Sequence, residues 1–506
     1  MICKTESLTL IGLDGFSVEV ETDISRGLPK FEIVGLPDAA VKESKERVRS
    51  AIKNSGINFP TAVITVNLAP ADLKKEGTGL DLAIAVGIIR CTLQGVSFDA
   101  TNVAFLGELS LDGGIRPVSG VLPLVISAKK LGLKAVILPV QNVKEAQFVN
   151  GIDVVGVSAL NEVVDILKGG SYTAMPTVAY FAKTRDDRIN DLKFVKGQFI
   201  AKRALEVAVS GGHNILMVGS PGAGKTMLAK CIPSIMPDMT FGEALETTKI
   251  HSVAGILNAE DGIVSERPFV TPHHSATNVA LIGGGNALKP GLISLAHNGV
   301  LYLDEMPEYQ RSVLECLRQP LEDRVITVSR AKGNVKYPAS FMLCASMNPC
   351  PCGNFGSETQ ECRCTASQIK KYKSKISGPL LDRIDIQVQV DGVTYDDLVS
   401  EECSESSADV RKRVNQARLV QRERFMSDSV NSNAEMSEVH IRKYCKLSKE
   451  CEELVKRSYQ SLGLSARGRS RIIKVARTIA DLDSSADILP KHILEAISYR
   501  SLDMNE

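Results

Sequence analysis

Gly219-Ser220-Pro221-Gly222-Ala223-Gly224-Lys225-Thr226 has the spacing G-x-x-x-x-G-K-[ST], directly behind the apolar run Asn214–Val218 and ahead of a helical run that starts at Met227. Glycines let such a loop turn tightly enough for its N–H groups to face phosphate oxygens, and the N-terminus of the following helix adds a positive dipole end. Lys225 is suited to neutralise β/γ-phosphate charge and the Thr226 hydroxyl to reach Mg²⁺, so ATP with Mg²⁺ is the expected ligand. Two carboxylates, Asp304 and Glu305, end a second apolar run, Gly299–Leu303. Asp304 suits the Mg²⁺ shell and Glu305 suits the orientation and polarisation of an attacking water; binding alone needs no second acid, so the pair points to hydrolysis. A third run, Phe341–Met347, ends at Asn348, whose carboxamide has the chemistry to bond the γ-phosphate or the lytic water. Strand with phosphate loop, strand with Asp-Glu, strand with Asn: this order predicts an additional-strand ATPase. Beyond it, Arg383 in Leu380-Leu-Asp-Arg-Ile-Asp385 is either a finger for a neighbouring subunit's γ-phosphate or a simple surface salt bridge.

A second group of reactive side chains is Cys350, Cys352, Cys362 and Cys364, spaced C-x-C-x9-C-x-C. Four thiolates brought together by a hairpin would close a tetrahedral Zn²⁺ site, leaving no open position for catalysis. The usual spacing is C-x2–4-C, so the other reading is a set of free thiols packed in a loop. His273 and His274 have no third ligand at a metal-site spacing, and an insertion-loop or interface role is expected of them.

These side chains need elements to hold them. At roughly 150 residues per domain, 506 residues divide into about three. Residues 1–168 alternate β-branched runs (Ala62–Val66, Ala135–Leu138) with helical patterns (Pro37–Ser55, Leu122–Leu131), which predicts an α/β domain. The stretch 169–190 shows no sustained period and reads as a linker. Residues 191–395 carry the longer apolar strands of a parallel sheet, and 396–506 turn helical and basic. Between 442 and 477 Lys and Arg outnumber Glu, which is either a solvated helical face or a functional surface. Over the whole chain Lys+Arg 60 against Asp+Glu 59 leaves +1, which excludes a polybasic coat protein but not a local basic channel. No apolar run approaches the ~20 residues of a membrane span, and Lys4 and Glu6 stand where a signal peptide carries its apolar core, so a cytoplasmic location is expected.

Several stretches together resemble the magnesium-chelatase-like AAA+ ATPases, most closely their ComM/YifB branch. They are Gly197–Glu206 with Gly211–Asn214, the phosphate loop, Arg267-Pro-Phe with Pro272-His-His274, Gly283-Gly-Gly285, Leu303–Met306, Asn348–Gly353, Ser377–Ile384, Leu464–Arg467 and Val475–Asp481. The resemblance implies a P-loop AAA+ core with a helical C-terminal lid in a ring, expected to be a hexamer. It also implies a helix-2 insertion at about His251–His274 and a pore hairpin at about Val325–Tyr337 with Arg330, Lys332 and Lys336. By the same resemblance Asn348 is sensor 1, Arg383 the arginine finger and Arg467 the sensor-2 arginine. Residues 1–168 resemble the Lon protease domain, of the ribosomal S5 domain 2-like fold, at Lys75-Glu-Gly77, Gly107–Leu111 and Lys134–Pro139. Gly79 and Leu122 stand where that family has its serine and lysine, so a proteolytically inactive module is expected; Thr78, Ser119 and Lys129 are the neighbouring substitutes. The implied activity is a DNA motor that binds branched or single-stranded DNA, a helicase promoting branch migration during transformation and recombination. The other readings are a chelatase-type ATPase that remodels a protein or metal-cofactor partner, and a regulatory ATP-binding scaffold.

Overall fold

The computed structural model describes residues 2–182, 190–258, 260–285, 288–330, 333–356, 360–392, 405–428, 430–461, 463 and 465–500. Two sheets organise the chain. The first has seven strands in the order Lys30–Val34, Val63–Ala69, Asp14–Ser25, Ile2–Ile11, Val103–Phe105, Ala135–Pro139, Asp153–Val157. Its long hairpin, Ile2–Ile11 with Asp14–Ser25, is antiparallel, whereas Val103–Phe105, Ala135–Pro139 and Asp153–Val157 run parallel, joined by helices. Helix Ala39–Asn54 shows how the sequence sets these elements. Asp38 caps it by accepting from the Val41 N–H at 2.8 Å, and Val41, Ser44, Val48, Ala51 and Ile52 recur at helical spacing as its buried face.

The second sheet has five strands, all parallel, in the order Phe269–Val270, Val300–Leu303, Met342–Met347, Ile215–Gly219, Ile386–Val390. The strands Ile215–Gly219, Val300–Leu303 and Met342–Met347 are buried at every residue, which explains why they read as continuous apolar runs and not as alternating ones. Met342–Met347 separates the phosphate-loop strand from the Asp-Glu strand, so the core is the additional-strand, P-loop AAA+ architecture. Helices Ser407–Arg424, Glu438–Tyr444, Lys449–Ser461, Ala466–Leu482 and Pro490–Ser498 follow and pack on it as the helical C-terminal lid.

The hairpin Val325–Arg330 with Gly333–Pro338 forms in register, Val328 opposite Val335. Lys336 is exposed on it; the Arg330 side chain and Lys332 lie outside the described residues. Residues 251–274 do not form the single helix-2 insertion that the resemblance implies. His251 sits in the last turn of Phe241–Ala254, which a Thr240–Glu243 capping box starts and Gly255 ends, and Phe269–Val270 is already the edge strand of the ATPase sheet. An interrupted helix lies instead after that strand, where helix Asn278–Ile282, the antiparallel pair Gly283–Gly284 with Lys289–Pro290, and helix Leu292–Leu295 precede Val300–Leu303. Between 169 and 182 the chain has neither helix nor strand, and 183–189 lie outside the described residues.

The two sheets are joined through buried polar groups. Glu145 accepts from Ser252 Oγ at 2.7 Å, from the Leu122 N–H at 3.2 Å and from Asn142 Nδ2 at 2.8 Å, while the Gly120 N–H donates to the Ser252 carbonyl at 3.0 Å. Burial pushes the Glu145 carboxyl above its ordinary value, and these three donors partly offset that cost. At Gly12, in the turn of the first hairpin, an added Cβ would meet Val335 Cγ1 at 2.4 Å, so this turn rests directly on the Val325–Pro338 hairpin. Glu145→Ala strands three donors at this junction. It is expected to cost about 2–4 kcal/mol, read as a lower midpoint in urea unfolding; an unchanged midpoint would show that the junction contributes little.

Candidate nucleotide site

The phosphate loop leaves the sheet at Gly219, where an added Cβ would stand 2.2 Å from the Val390 carbonyl oxygen, so only glycine fits against the neighbouring strand. Gly222 and Gly224 have φ of +79° and +91° in open space; here it is the backbone conformation that calls for glycine. Helix Lys225–Ile235 then starts with its free N–H groups and positive dipole end at the loop. Lys225 lies back across the loop, its Nζ donating to the carbonyls of Gly219 (2.7 Å) and Ser220 (2.8 Å) and to Asn348 Oδ1 (3.1 Å). Burial lowers its pKa, opposed by the charges of Asp304 and Glu305.

Strand Val300–Leu303 delivers the two acids to the same edge. Asp304 accepts from Ser346 Oγ at 2.5 Å and from Thr226 Oγ1 at 3.1 Å. Burial works to raise the Asp304 pKa, but the hydrogen bonds from Ser346, Tyr302 and Thr226 outweigh it and hold the carboxyl below its ordinary value. The Thr226 and Asp304 oxygens stand at nearly the spacing, about 2.9 Å, of adjacent ligands around octahedral Mg²⁺ with 2.0–2.1 Å bonds. This pair therefore fits the ion. Glu305 takes the left-handed conformation, φ 50° and ψ 50°, rare for a residue with a Cβ. Its N–H is held by Ser346 Oγ at 3.2 Å and by Asp304 Oδ1 at 3.1 Å.

Ser346 is the contributor the sequence reading missed. It lies two residues before Asn348, and the alternation of a strand places i and i+2 on one face, which was the signal available. Its single hydroxyl links the Asp304 carboxylate to the Glu305 backbone, so the additional strand supplies the geometry of both acids as well as Asn348.

Arg383 and Arg467 meet each other, not their own phosphate loop. Asn214, just before strand Ile215–Gly219, donates from Nδ2 to the Arg383 carbonyl at 2.8 Å and accepts from the Asp385 and Ile386 N–H groups at 3.0 Å. Arg383 thus sits where the strand begins, and the phosphate loop sits where it ends, about 16 Å away at 3.3 Å per residue. Glu322 receives both Arg383 Nη2 and Arg467 Nη2, the latter at 3.1 Å. The basic stretch 442–477 is likewise partly internal. Arg471 pairs with Asp385, Arg477 with Asp481, and Lys474 donates to the Ala434 carbonyl.

Past Asn348 the chain gathers its four cysteines. Cys350 Sγ lies 3.4 Å from Cys352 Sγ and 3.7 Å from Cys362 Sγ, and all four sulfurs fall within 4.8 Å of one another. Tetrahedral Zn²⁺ with 2.3 Å bonds separates its sulfurs by about 3.8 Å, so the cluster fits this ion. The Asn354 and Arg363 backbone N–H groups hold the Cys352 thiol down at about 6, whereas Cys362 and Cys364 are pushed up by burial and by the neighbouring thiols. Among the described residues no other group of three or more His, Cys, Asp or Glu is placed to hold a metal; His273 and His274 stack on each other with ring centroids 4.1 Å apart. The loop also touches the phosphate loop: at Gly353, φ +84°, an added Cβ would stand 2.4 Å from Pro221 Cδ.

Comparison with known proteins agrees across the chain. The family described as "Magnesium chelatase, subunit ChlI" matches residues 191–398, "Subunit ChlI of Mg-chelatase" matches residues 20–142, and "Magnesium chelatase, subunit ChlI C-terminal" matches residues 404–500. Competence protein ComM of Haemophilus influenzae is 40% identical over 501 residues, covering 97% of this chain and 96% of that protein. Protein YifB of Escherichia coli is 41% identical over 501 residues, with the same coverage. Lon protease 2 of Bacillus subtilis is 29% identical over 167 residues, 30% of each chain.

Gly353→Ala combines an unfavourable φ with a collision at Pro221. A loss of about 1–3 kcal/mol is expected, seen as a lower Tm than that of Gly356→Ala, whose φ is also positive but whose surroundings are open.

Proposed function

The chain belongs to the ComM/YifB family of magnesium-chelatase-like AAA+ proteins, and on that premise we propose that it is an ATP-hydrolysing ring motor that acts on DNA. The observation that carries the ATPase reading is the convergence of Lys225, Thr226, Asp304, Glu305 and Asn348 on one sheet edge, bridged by Ser346. In this reading the loop N–H groups from Gly219 to Thr226 and the helix end bind the phosphates, and Lys225 exchanges its carbonyl partners for β/γ oxygens. Thr226 and Asp304 would hold Mg²⁺, which supplies charge neutralisation on the phosphate oxygens. Glu305 orients the attacking water and draws on its proton. Asn348 bonds the water or the γ-phosphate, and the γ-phosphorus bond to the β-bridging oxygen breaks.

Arg383 serves the adjoining subunit, because about 16 Å separates its backbone from its own phosphate loop, farther than an arginine side chain extends, and Arg467 is read as serving it too because it shares Glu322 with Arg383. Hydrolysis then depends on assembly into a ring, read as a hexamer. Residues 1–168 act as a proteolytically inactive scaffold, 169–190 as the linker, 191–395 as the ATPase core and 396–506 as the lid, working in the cytoplasm. For the scaffold role, Gly79 and Leu122 offer neither nucleophile nor base, and Ser119 and Lys129 flank opposite ends of helix Val121–Lys130, about 15 Å apart at 1.5 Å per residue. Among the described residues no helix is long and apolar enough to cross a membrane.

DNA as the track, branched or single-stranded, is supported by the relationship to the competence protein and by the exposed Lys336 on the Val325–Pro338 hairpin. A helicase driving branch migration is the specific form of this reading. The four cysteines hold one structural Zn²⁺ that stiffens the segment running from Asn348 past Pro221.

Steady-state ATPase with and without branched DNA is the primary test. Strong stimulation is expected, with DNA affinity falling steeply between about 50 and 200 mM salt; no stimulation by any DNA would favour a chelatase-type remodelling ATPase or a regulatory scaffold instead. Lys225→Ala should lose nucleotide binding, whereas Glu305→Gln should retain ATP and accumulate assembled rings in sizing experiments. Metal analysis of native protein should find one zinc per chain; clearly substoichiometric zinc would leave the cysteines as packed free thiols.

A further inference from the structure

Glu322 has no part in the nucleotide chemistry described above, yet both candidate trans-acting arginines end on it. It lies on the short helix Arg318–Asp323 with a half-exposed carboxylate. One carboxylate oxygen takes Arg383 Nη2 and the other takes Arg467 Nη2. Arg383 is largely buried, its Nη1 donates to the Pro379 carbonyl at 2.5 Å, and its Nε is buried without a partner, so Glu322 is the only charged group that fixes the direction of this guanidinium among the described residues. Arg467 is exposed, and its Nη2 donates to Glu322. One turn further along the same helix, Arg471 ties to Asp385 at 3.4 Å and to Asp382 at 3.8 Å, the residues flanking Arg383 and Ile384. The lid helix and the Arg383 loop are thus fastened twice.

We propose that Glu322 is a positioning residue that holds Arg383 and Arg467 together as one paired unit, presented to the nucleotide of the adjoining subunit. The inference rests on the trans reading of those arginines given under the proposed function. Two guanidinium groups at one site repel each other, and a carboxylate placed between them removes that repulsion while leaving a net positive charge to face a phosphate. Its two equivalent acceptor oxygens suit the task. A glutamine would keep the shape, but its NH2 would confront one arginine donor to donor and the repulsion would return. Arg383 beside it holds the Glu322 carboxyl below the usual carboxylate range, so the group stays ionised. Glu322 also stands three residues before Val325, where the Val325–Pro338 hairpin begins, so the arginine pair and the base of the hairpin share one short helix.

The test uses full-length Glu322→Gln, with Glu322→Asp as the charge-retaining variant, and reads ATP hydrolysis beside thermal melting. Glu322→Gln is expected to lower kcat by about ten- to a hundred-fold, a fraction of what a complete arginine finger contributes. KM for ATP should change much less, because its own phosphate loop is intact, and Glu322→Asp should recover part of the rate. The decisive arm mixes subunits. Glu322→Gln chains combined with Lys225→Ala chains should hydrolyse ATP faster than the sum of the two alone, since an intact phosphate loop then meets an intact arginine pair at the shared interface. A damaged or misfolded Glu322→Gln chain would gain nothing from mixing, and that result overturns the proposal. So does a Glu322→Gln rate equal to or above that of the unmodified chain, the latter meaning that Glu322 restrains the arginines instead of presenting them. If the unmodified chain itself hydrolyses no ATP, the ATPase reading fails first and this one with it.

Discussion

Everything the molecule can do with a nucleotide depends on one strand, Met342–Met347, lying between Ile215–Gly219 and Val300–Leu303 in a wholly parallel sheet. Parallel strands release their C-terminal ends at one edge, so Gly219, Asp304 and Asn348 emerge side by side there although they are far apart in sequence. The inserted strand also widens the gap between the phosphate loop and the acids, and Ser346 and Asn348 occupy that gap. Ser346 bonds the Asp304 carboxylate and the Glu305 N–H, and Asn348 receives Lys225. The opposite edge is equally determined. Asn214 bonds the Arg383 carbonyl, the Asp385 and Ile386 N–H groups and, through Oδ1, the Leu343 N–H at 2.8 Å, tying three strand starts together. Arg383 is therefore separated from its own phosphate loop by the length of a strand, about 16 Å.

Around that sheet the chain places its contacts where a change at one element reaches another. The first hairpin touches the Val325–Pro338 hairpin at Gly12, and Glu145 reaches Ser252 in the last turn of helix Phe241–Ala254. The cysteine loop touches Pro221 through Gly353. Each is a close-packed or buried polar contact, so none can shift without its partner shifting too. Charge is used in the same local way. A net +1 leaves little field over the whole molecule, and two arginines of the basic stretch are paired internally, Arg471 with Asp385 of the core and Arg477 with Asp481 of the lid.

Much of this was legible beforehand. The phosphate loop, the Asp-Glu pair and the Asn each sit at the end of an apolar run, and a run buried on both faces has few alternatives to a central parallel strand. The α/β character of the first part could be read from short β-branched runs alternating with helical spacing, and its likeness to the Lon protease domain from the matched residues Lys75–Gly77, Gly107–Leu111 and Lys134–Pro139. Element ends were less legible. The range 251–274, implied by resemblance for a helix-2 insertion, instead holds the end of one helix and the edge strand of the sheet, because Phe269–Val270 is too short to announce itself as a strand. Ser346 was overlooked because a serine in a buried strand has no distinctive spacing of its own; its role exists only once Asp304 stands opposite it.

The sequence by itself determined which side chains carry chemistry, since glycine, lysine, carboxylate and thiol are properties of residue type and local spacing. Only the tertiary structure decided which of them meet. The order of strands in a sheet is set by packing between segments far apart in the chain, and no local period encodes it. That order put Asn348 on Lys225, and the packing of the lid against the sheet drew Arg383 and Arg467 from separate elements onto Glu322 and Arg471 onto Asp385.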